Sequence, residues 1–139
     1  MPLQWTGDLR RVVDGAERDA LRMEVRMNTA LLLRSMLKTE GPGQEVLEAV
    51  GINLPIYERG LKSFHLQPEP LDAPQRVYER AARLSASARL ESVSSLQVLI
   101  AMQEEVCMGQ ALLQAFQVDA NSIRKLVYSH AEFDTGVMY

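Results

Sequence analysis

The chain has 139 residues, 47% of them apolar and 24% charged, and a formal net charge of −3. That is ordinary for a soluble globular protein and enough for one domain with a buried core. The slight negative charge argues against a nucleic-acid partner, which needs a concentrated basic face.

Thr6 is the candidate N-cap of a first helix over about 7–24, along which Leu9, Val12, Val13, Ala16, Ala20 and Met23 recur at helical spacing. Trp5, just ahead of it, is placed to staple onto that helix. Arg10, Arg11, Arg18, Arg22 and Arg26 alternate with Asp14, Glu17, Asp19 and Glu24, which reads as a solvated face of mixed ion pairs. Asn28 caps a second helix, about 29–38. Thr39–Gly43 is loop punctuation, a short third helix follows over 44–50, and Gly51 closes it. Asn53 or Pro55 starts a fourth helix that runs to about 64. His65–Leu71, HLQPEPL, holds two prolines and reads as a linker. Asp72 is the N-cap of a fifth helix, to about 89, with Pro74 in its first turn. Ser94 opens the sixth over 95–105, the seventh spans 108–116, and Asp119 or Asn121 caps the eighth, to about 129. The final AEFDTGVMY carries no pattern. No segment alternates with the period of two that a half-buried strand requires.

The second helix is echoed downstream. Met27–Leu37, MNTALLLRSML, recurs 66 residues later as Val93–Gln103, VSSLQVLIAMQ. The same offset, without a gap, aligns Arg10 with Arg76, Ala16 with Ala82, Ala20 with Ala86, Gly43 with Gly109, Gln44 with Gln110 and Leu47 with Leu113. A fixed period of this length signals a duplicated helical unit. The expected fold is all-α: eight helices in two tandem four-helix repeats, packed with pseudo-two-fold symmetry into a single domain over 1–139. Repeat one covers about 5–64, the linker 65–71, repeat two about 72–130 and a tail 131–139. Leu31–Leu33 and Val98–Ile100 are the expected shared core.

Catalytic signals are absent. Glu40–Gln44, EGPGQ, lacks the lysine of a phosphate-binding loop, so no ATP hydrolysis is expected of this chain. His65 and His130 belong to no cluster with metal-ligand spacing, and no metal, cofactor or catalytic site is expected. Glu104 and Glu105 are neighbours on a helix and point in different directions. The single Cys107 permits no internal disulfide and fits a reducing compartment, so a cytoplasmic location is expected; between Val106 and Met108 its role is packing. No apolar run approaches the roughly 18 residues of a membrane span, and MPLQWTGDLRR lacks a signal-peptide core. Met23, Met27, Met36, Met102 and Met108 sit at apolar helix positions. They read as core filling, with an adaptable peptide-binding groove as the rival reading.

The order of parts resembles a known family. An alanine-spaced helix leads to a small cap and a leucine-rich helix, then a Gly loop and a short helix ending Val46-Leu47-Glu48-Ala49-Val50-Gly51-Ile52-Asn53. The second copy ends Leu112-Leu113-Gln114-Ala115-Phe116-Gln117-Val118-Asp119. Over about residues 5–130 this resembles the Clp N-terminal repeat, the double four-helix module that precedes the ATPase rings of Clp-type unfoldases. Trp5-Thr6 stands where that family has Phe-Thr. The resemblance implies a non-enzymatic protein-binding module that takes substrate segments or adaptors for an AAA+ unfoldase ring, either as the ring's own N-terminal domain or as a separate chain. It places a ligand groove near Thr6, Ala30, Asp72 and Leu96. For Thr6 and Asp72, helix capping is the competing role. Where the family carries Glu-His after the cap, this chain has Ala30-Leu31 and Leu96-Gln97. In some members the paired glutamates help to hold a cationic or phospho-arginine group. Without them no counter-charge remains for a guanidinium, and a more apolar ligand is implied. A reading from a different class is a regulatory or scaffold protein that acts by self-association or partner assembly.

Overall fold

In the computed structural model, residues 3–130 are described, so the expected tail at 131–139 lies outside the described residues. Eight helices follow one another: α1 Gly7–Met23, α2 Thr29–Lys38, α3 Pro42–Ala49, α4 Leu54–Ser63, α5 Ala73–Ser87, α6 Ser95–Glu104, α7 Met108–Ala115 and α8 Ala120–Ser129. The fold is all-α, in two four-helix repeats. Caps set most of the boundaries. Thr6, Asn28, Asn53, Ser94 and Asp119 each stand in extended backbone and accept an N–H from the first helical turn. Ser94 and Gln97 complete a reciprocal capping box.

Asp72 is a correction. It precedes α5, but its backbone (φ −93°, ψ 10°) is not the extended conformation that aims a side chain back at the helix, and it makes no capping hydrogen bond. Its carboxylate pairs instead with exposed Arg76 at 2.9 Å.

The two repeats meet through reciprocal contacts. Gly109 N–H donates to Thr29 Oγ1 (2.8 Å), and Gly43 N–H donates to Ser95 Oγ (2.9 Å). Within each repeat, Gln44 Nε2 donates to Leu37 O and Gln110 Nε2 to Gln103 O. All four contacts obey the offset of 66, as pseudo-two-fold symmetry requires. Thus α2 packs on α7 of the other repeat and α6 on α3. Leu31–Leu33 and Val98–Ile100 are all buried, as expected. Met36 and Met102 are buried as well, whereas Met23 is exposed.

The offset does change along the chain. Helix α1 buries Leu9, Val12, Val13, Ala16, Asp19 and Ala20, whereas α5 buries Pro74, Val77, Ala81 and Ser85. Those faces superimpose at an offset of 65. So do the left-handed residues that end the helices, Glu24 (φ 57°) and Arg89 (φ 59°), and the closing bonds Val25 N–H to Ala20 O and Leu90 N–H to Ser85 O. The ungapped alignment of Ala16 with Ala82 and Ala20 with Ala86 is therefore one residue out. Repeat two carries an extra residue between Arg89 and Ser94.

That longer loop contains Ser92–Val93, which pairs in parallel with Gln4–Trp5 as a two-residue ladder, β1 (Gln4–Trp5) beside β2 (Ser92–Val93). Trp5 thereby lies on Tyr78 of α5, with ring centroids 5.1 Å apart. It ties the start of the chain to repeat two, where a staple to its own helix was expected.

Candidate functional site

The four positions singled out by sequence are divided between two neighbourhoods related by the pseudo-two-fold. In the first, Thr6 caps α1, accepting from Leu9 N–H, and its hydroxyl donates to Asp8 Oδ1. Asp8 Oδ2 in turn accepts from the backbone N–H and the hydroxyl of Ser95, at the start of α6. In the second, Glu69 accepts from the N–H and hydroxyl of Thr29, at the start of α2, and from Met108 N–H at the start of α7. Each leucine-rich helix therefore receives a carboxylate at its positive end, from residues distant in sequence. Glu69 lies in the stretch read as a plain linker, and it pins that stretch to both repeats. A pairing across 40 residues leaves no local signal.

Ala30 and Leu96 belong to the core. They are 7% and 0% exposed, and Ala30 O accepts the hydroxyl of buried Tyr57 at 2.6 Å. Both side chains face the core, as their apolar chemistry favours. Asp72 is on the surface, with Arg76.

The open apolar surface lies beside the second neighbourhood. A cleft of about 260 Å³ runs between Val25 and Met27, after α1, and Pro68, Leu71 and Met108. A second hollow, of about 340 Å³, shares Val25 and Met27 and adds Ala20 and Leu21. Leu21 is 80% exposed, Leu71 71% and Val25 46%, an unusual density of bare apolar side chains on one side of a small domain. The sequence held one clue, since Leu21 falls outside the buried stripe of α1.

Cys107 is buried at the start of α7, where its sulfur accepts from Gln110 N–H. Burial pushes its thiol up from the ordinary value, which disfavours the thiolate a nucleophile needs. Among the described residues no group of three or more His, Cys, Asp or Glu is arranged to hold a metal ion, and no helix is long and apolar enough to cross a membrane.

One buried charge stands apart from both neighbourhoods. Asp19 of α1 is held by Arg22, by Arg34 (2.9 Å) and by Lys38 (3.3 Å). Burial alone would push its carboxyl up. The hydrogen bond and charge of Lys38, with Arg22 and Arg34, outweigh burial and hold it below its ordinary 3.8. A carboxyl depressed on folding contributes stability above its unfolded pKa, and that contribution is lost as pH falls through the folded value. Asp19→Asn is therefore expected to cost about 1–2 kcal/mol at neutral pH, with the gap to wild type closing below about pH 4. Urea unfolding at pH 7 and pH 3 checks this; an equal gap at both would refute it.

Compared by sequence, the chain matches no family model and no curated protein. Compared by structure, it is similar to the crystal structure of the N-terminal domain of the caseinolytic protease associated chaperone ClpD from Arabidopsis thaliana. The TM-score is 0.69 at 14% identity, over 91% of this chain and 96% of that one. The repeated helices, the reciprocal contacts between repeats and this likeness lead to one conclusion: the chain has the double four-helix fold of the Clp N-terminal domain.

Proposed function

We propose that this chain is a non-enzymatic protein-binding module that takes an extended apolar segment of a substrate or adaptor, in the service of an AAA+ unfoldase ring. The observation that carries the reading is the exposed apolar surface made by Leu21, Val25 and Leu71, with half-buried Met27 lining both hollows. An extended occupant is favoured by the chain's own precedent. At an offset of 66, Ser92–Val93 corresponds to Arg26–Met27. The former accepts Gln4–Trp5 as a parallel neighbour and packs Trp5 on an aromatic ring, whereas Arg26–Met27 has no strand partner among the described residues. Strand addition supplies backbone hydrogen bonds, and the hollows supply pockets for alternate side chains. Thr6 and Asp72 frame the starts of the two repeats in this proposal, and Ala30 and Leu96 support it from within. A cytoplasmic setting fits the single buried thiol, and a net charge of −3 fits protein partners better than nucleic acid.

Calorimetric titration of an apolar peptide panel tests the proposal. Leu71→Asp and Val25→Asp lie on the surface and should leave the helical signal intact while weakening binding about tenfold or more. A panel that never binds, or binds both variants as wild type does, counts against the cleft. Pull-down from the native cell is expected to recover ATPase-ring subunits. Self-association by light scattering, abolished by the same substitutions and with no ring recovered, would favour the scaffold reading instead.

A further inference from the structure

On another face of repeat one, α1 and α2 enclose an open pocket of about 810 Å³. Arg11, Arg18 and Arg22 line it from α1 and Lys38 from α2; its carboxylates are Asp19 and Glu40. Asp19 is already surrounded by Arg22, Arg34 and Lys38. Arg11 and Arg18 have no ion pair among the described residues. Gly15 stands between them, and a Cβ there would lie 2.6 Å from the hydroxyl of Ser35, the pocket floor.

Repeat two shows what the fold itself requires at this place. In the register of the buried faces, Arg11, Gly15 and Arg18 correspond to Arg76, Arg80 and Arg83. On the partner helix, Lys38 and Thr39 correspond to Glu104 and Glu105. There Arg80 occupies the position that Gly15 leaves bare and pairs with both glutamates, while Arg76 pairs with Asp72. The same helix pair is closed by matched charges in one repeat and left open with surplus cations in the other. Packing does not demand that surplus.

We propose that this pocket binds an acidic, extended segment of a partner protein, independently of the apolar cleft. Arg11, Arg18 and Arg22 lie at i, i+7 and i+11 on one helical face, about 10 Å and then about 6 Å apart along the axis. Carboxylates on alternate residues of an extended chain are about 7 Å apart. Such a segment meets the row at two or three points, with guanidinium forks on carboxylates. A small anion engages only part of the row, and a nucleic acid needs a broader basic face than this acidic chain offers.

The probe is a short fluorescent peptide of alternating Glu and Ser, with its Gln-for-Glu counterpart as control, read by anisotropy. The Glu peptide is expected to bind and to weaken as salt is raised, while the Gln peptide does not bind. Arg11→Gln combined with Arg18→Gln should reduce affinity about tenfold. Arg83→Gln, which removes the same kind of exposed charge from repeat two, should leave it unchanged. Circular dichroism verifies that each variant is folded. No binding of the Glu peptide, or an equal loss in Arg83→Gln, overturns the proposal. So does tighter binding of single-stranded DNA with the same sensitivity to the substitutions.

Discussion

Replacing Thr29 by Val is expected to lower the unfolding free energy by about 3 kcal/mol, and the thermal midpoint by about 10 °C. Valine keeps the shape of this fully buried side chain and removes only the hydroxyl. That hydroxyl accepts from Gly109 N–H at 2.8 Å and donates to the carboxylate of Glu69. Without it, a buried N–H at the start of α7 has no acceptor, which costs about 1–3 kcal/mol, and a charge-assisted bond of similar size is lost. Glu69 retains the Thr29 and Met108 N–H groups, so the linker stays in place and the damage falls on the contact between repeats. Thr29→Ser keeps the oxygen and should lie within about 1 kcal/mol of wild type. Ser95→Ala, the pseudo-symmetric change, removes the acceptor for Gly43 N–H and the donor to Asp8, and should follow Thr29→Val. Chemical denaturation of the three variants measures all of this. A Thr29→Val protein as stable as the Ser variant would show that water replaces the hydroxyl.

Why such a contact escapes a reading of sequence, while the helices do not, is a matter of range. The caps are local: Asn28, Asn53 and Ser94 satisfy N–H groups two or three residues ahead. A polar residue before an apolar period is therefore visible in a short window. The second helix was expected at 29–38 and lies at Thr29–Lys38. The third starts at Pro42, earlier than expected, because proline tolerates the first turn and Gly41 can lie against Asp8. Asp72 has the composition of a cap without the backbone angles. The duplication was legible; the extra residue after α5 was not, because alanine recurs often enough in these helices to match at either offset. Asp8 and Glu69 reach their partners across 87 and 40 residues. Ala30 and Leu96 were singled out by resemblance, although their apolar chemistry already favours burial. The arginines of α1 read as part of a solvated face of mixed ion pairs, yet among the described residues only Arg22 of that helix finds an acid, the inward-turned Asp19.

The glycines whose N–H groups donate to those hydroxyls set up a further test. Gly109→Ala is expected to destabilise the protein by about 2 kcal/mol, although alanine is the better helix former by about 1 kcal/mol. A Cβ on Gly109 would lie 2.2 Å from Met102 Sδ and 2.6 Å from its Cγ. Met102 is fully buried on α6, and protein interiors are close-packed, so α7 and α6 must separate or the methionine must leave its rotamer. Gly43→Ala in the other repeat meets Met36 Sδ at 2.7 Å and the Ser95 hydroxyl at 2.7 Å. Its steric overlap is smaller, but it also disturbs a hydrogen bond between repeats, and a loss of similar size is expected. The steric account is separable from any effect on the helix itself by shortening the opposing side chain. Met102→Ala alone opens a cavity and should cost about 2–5 kcal/mol. Combined with Gly109→Ala, it gives the new methyl group room, so the double variant should be more stable than the sum of the two losses predicts by at least about 1 kcal/mol. Strict additivity in that cycle would mean that Gly109 is required for its backbone alone. A coupling of the expected sign identifies glycine against methionine as the close contact that joins the third helix of each repeat to the second.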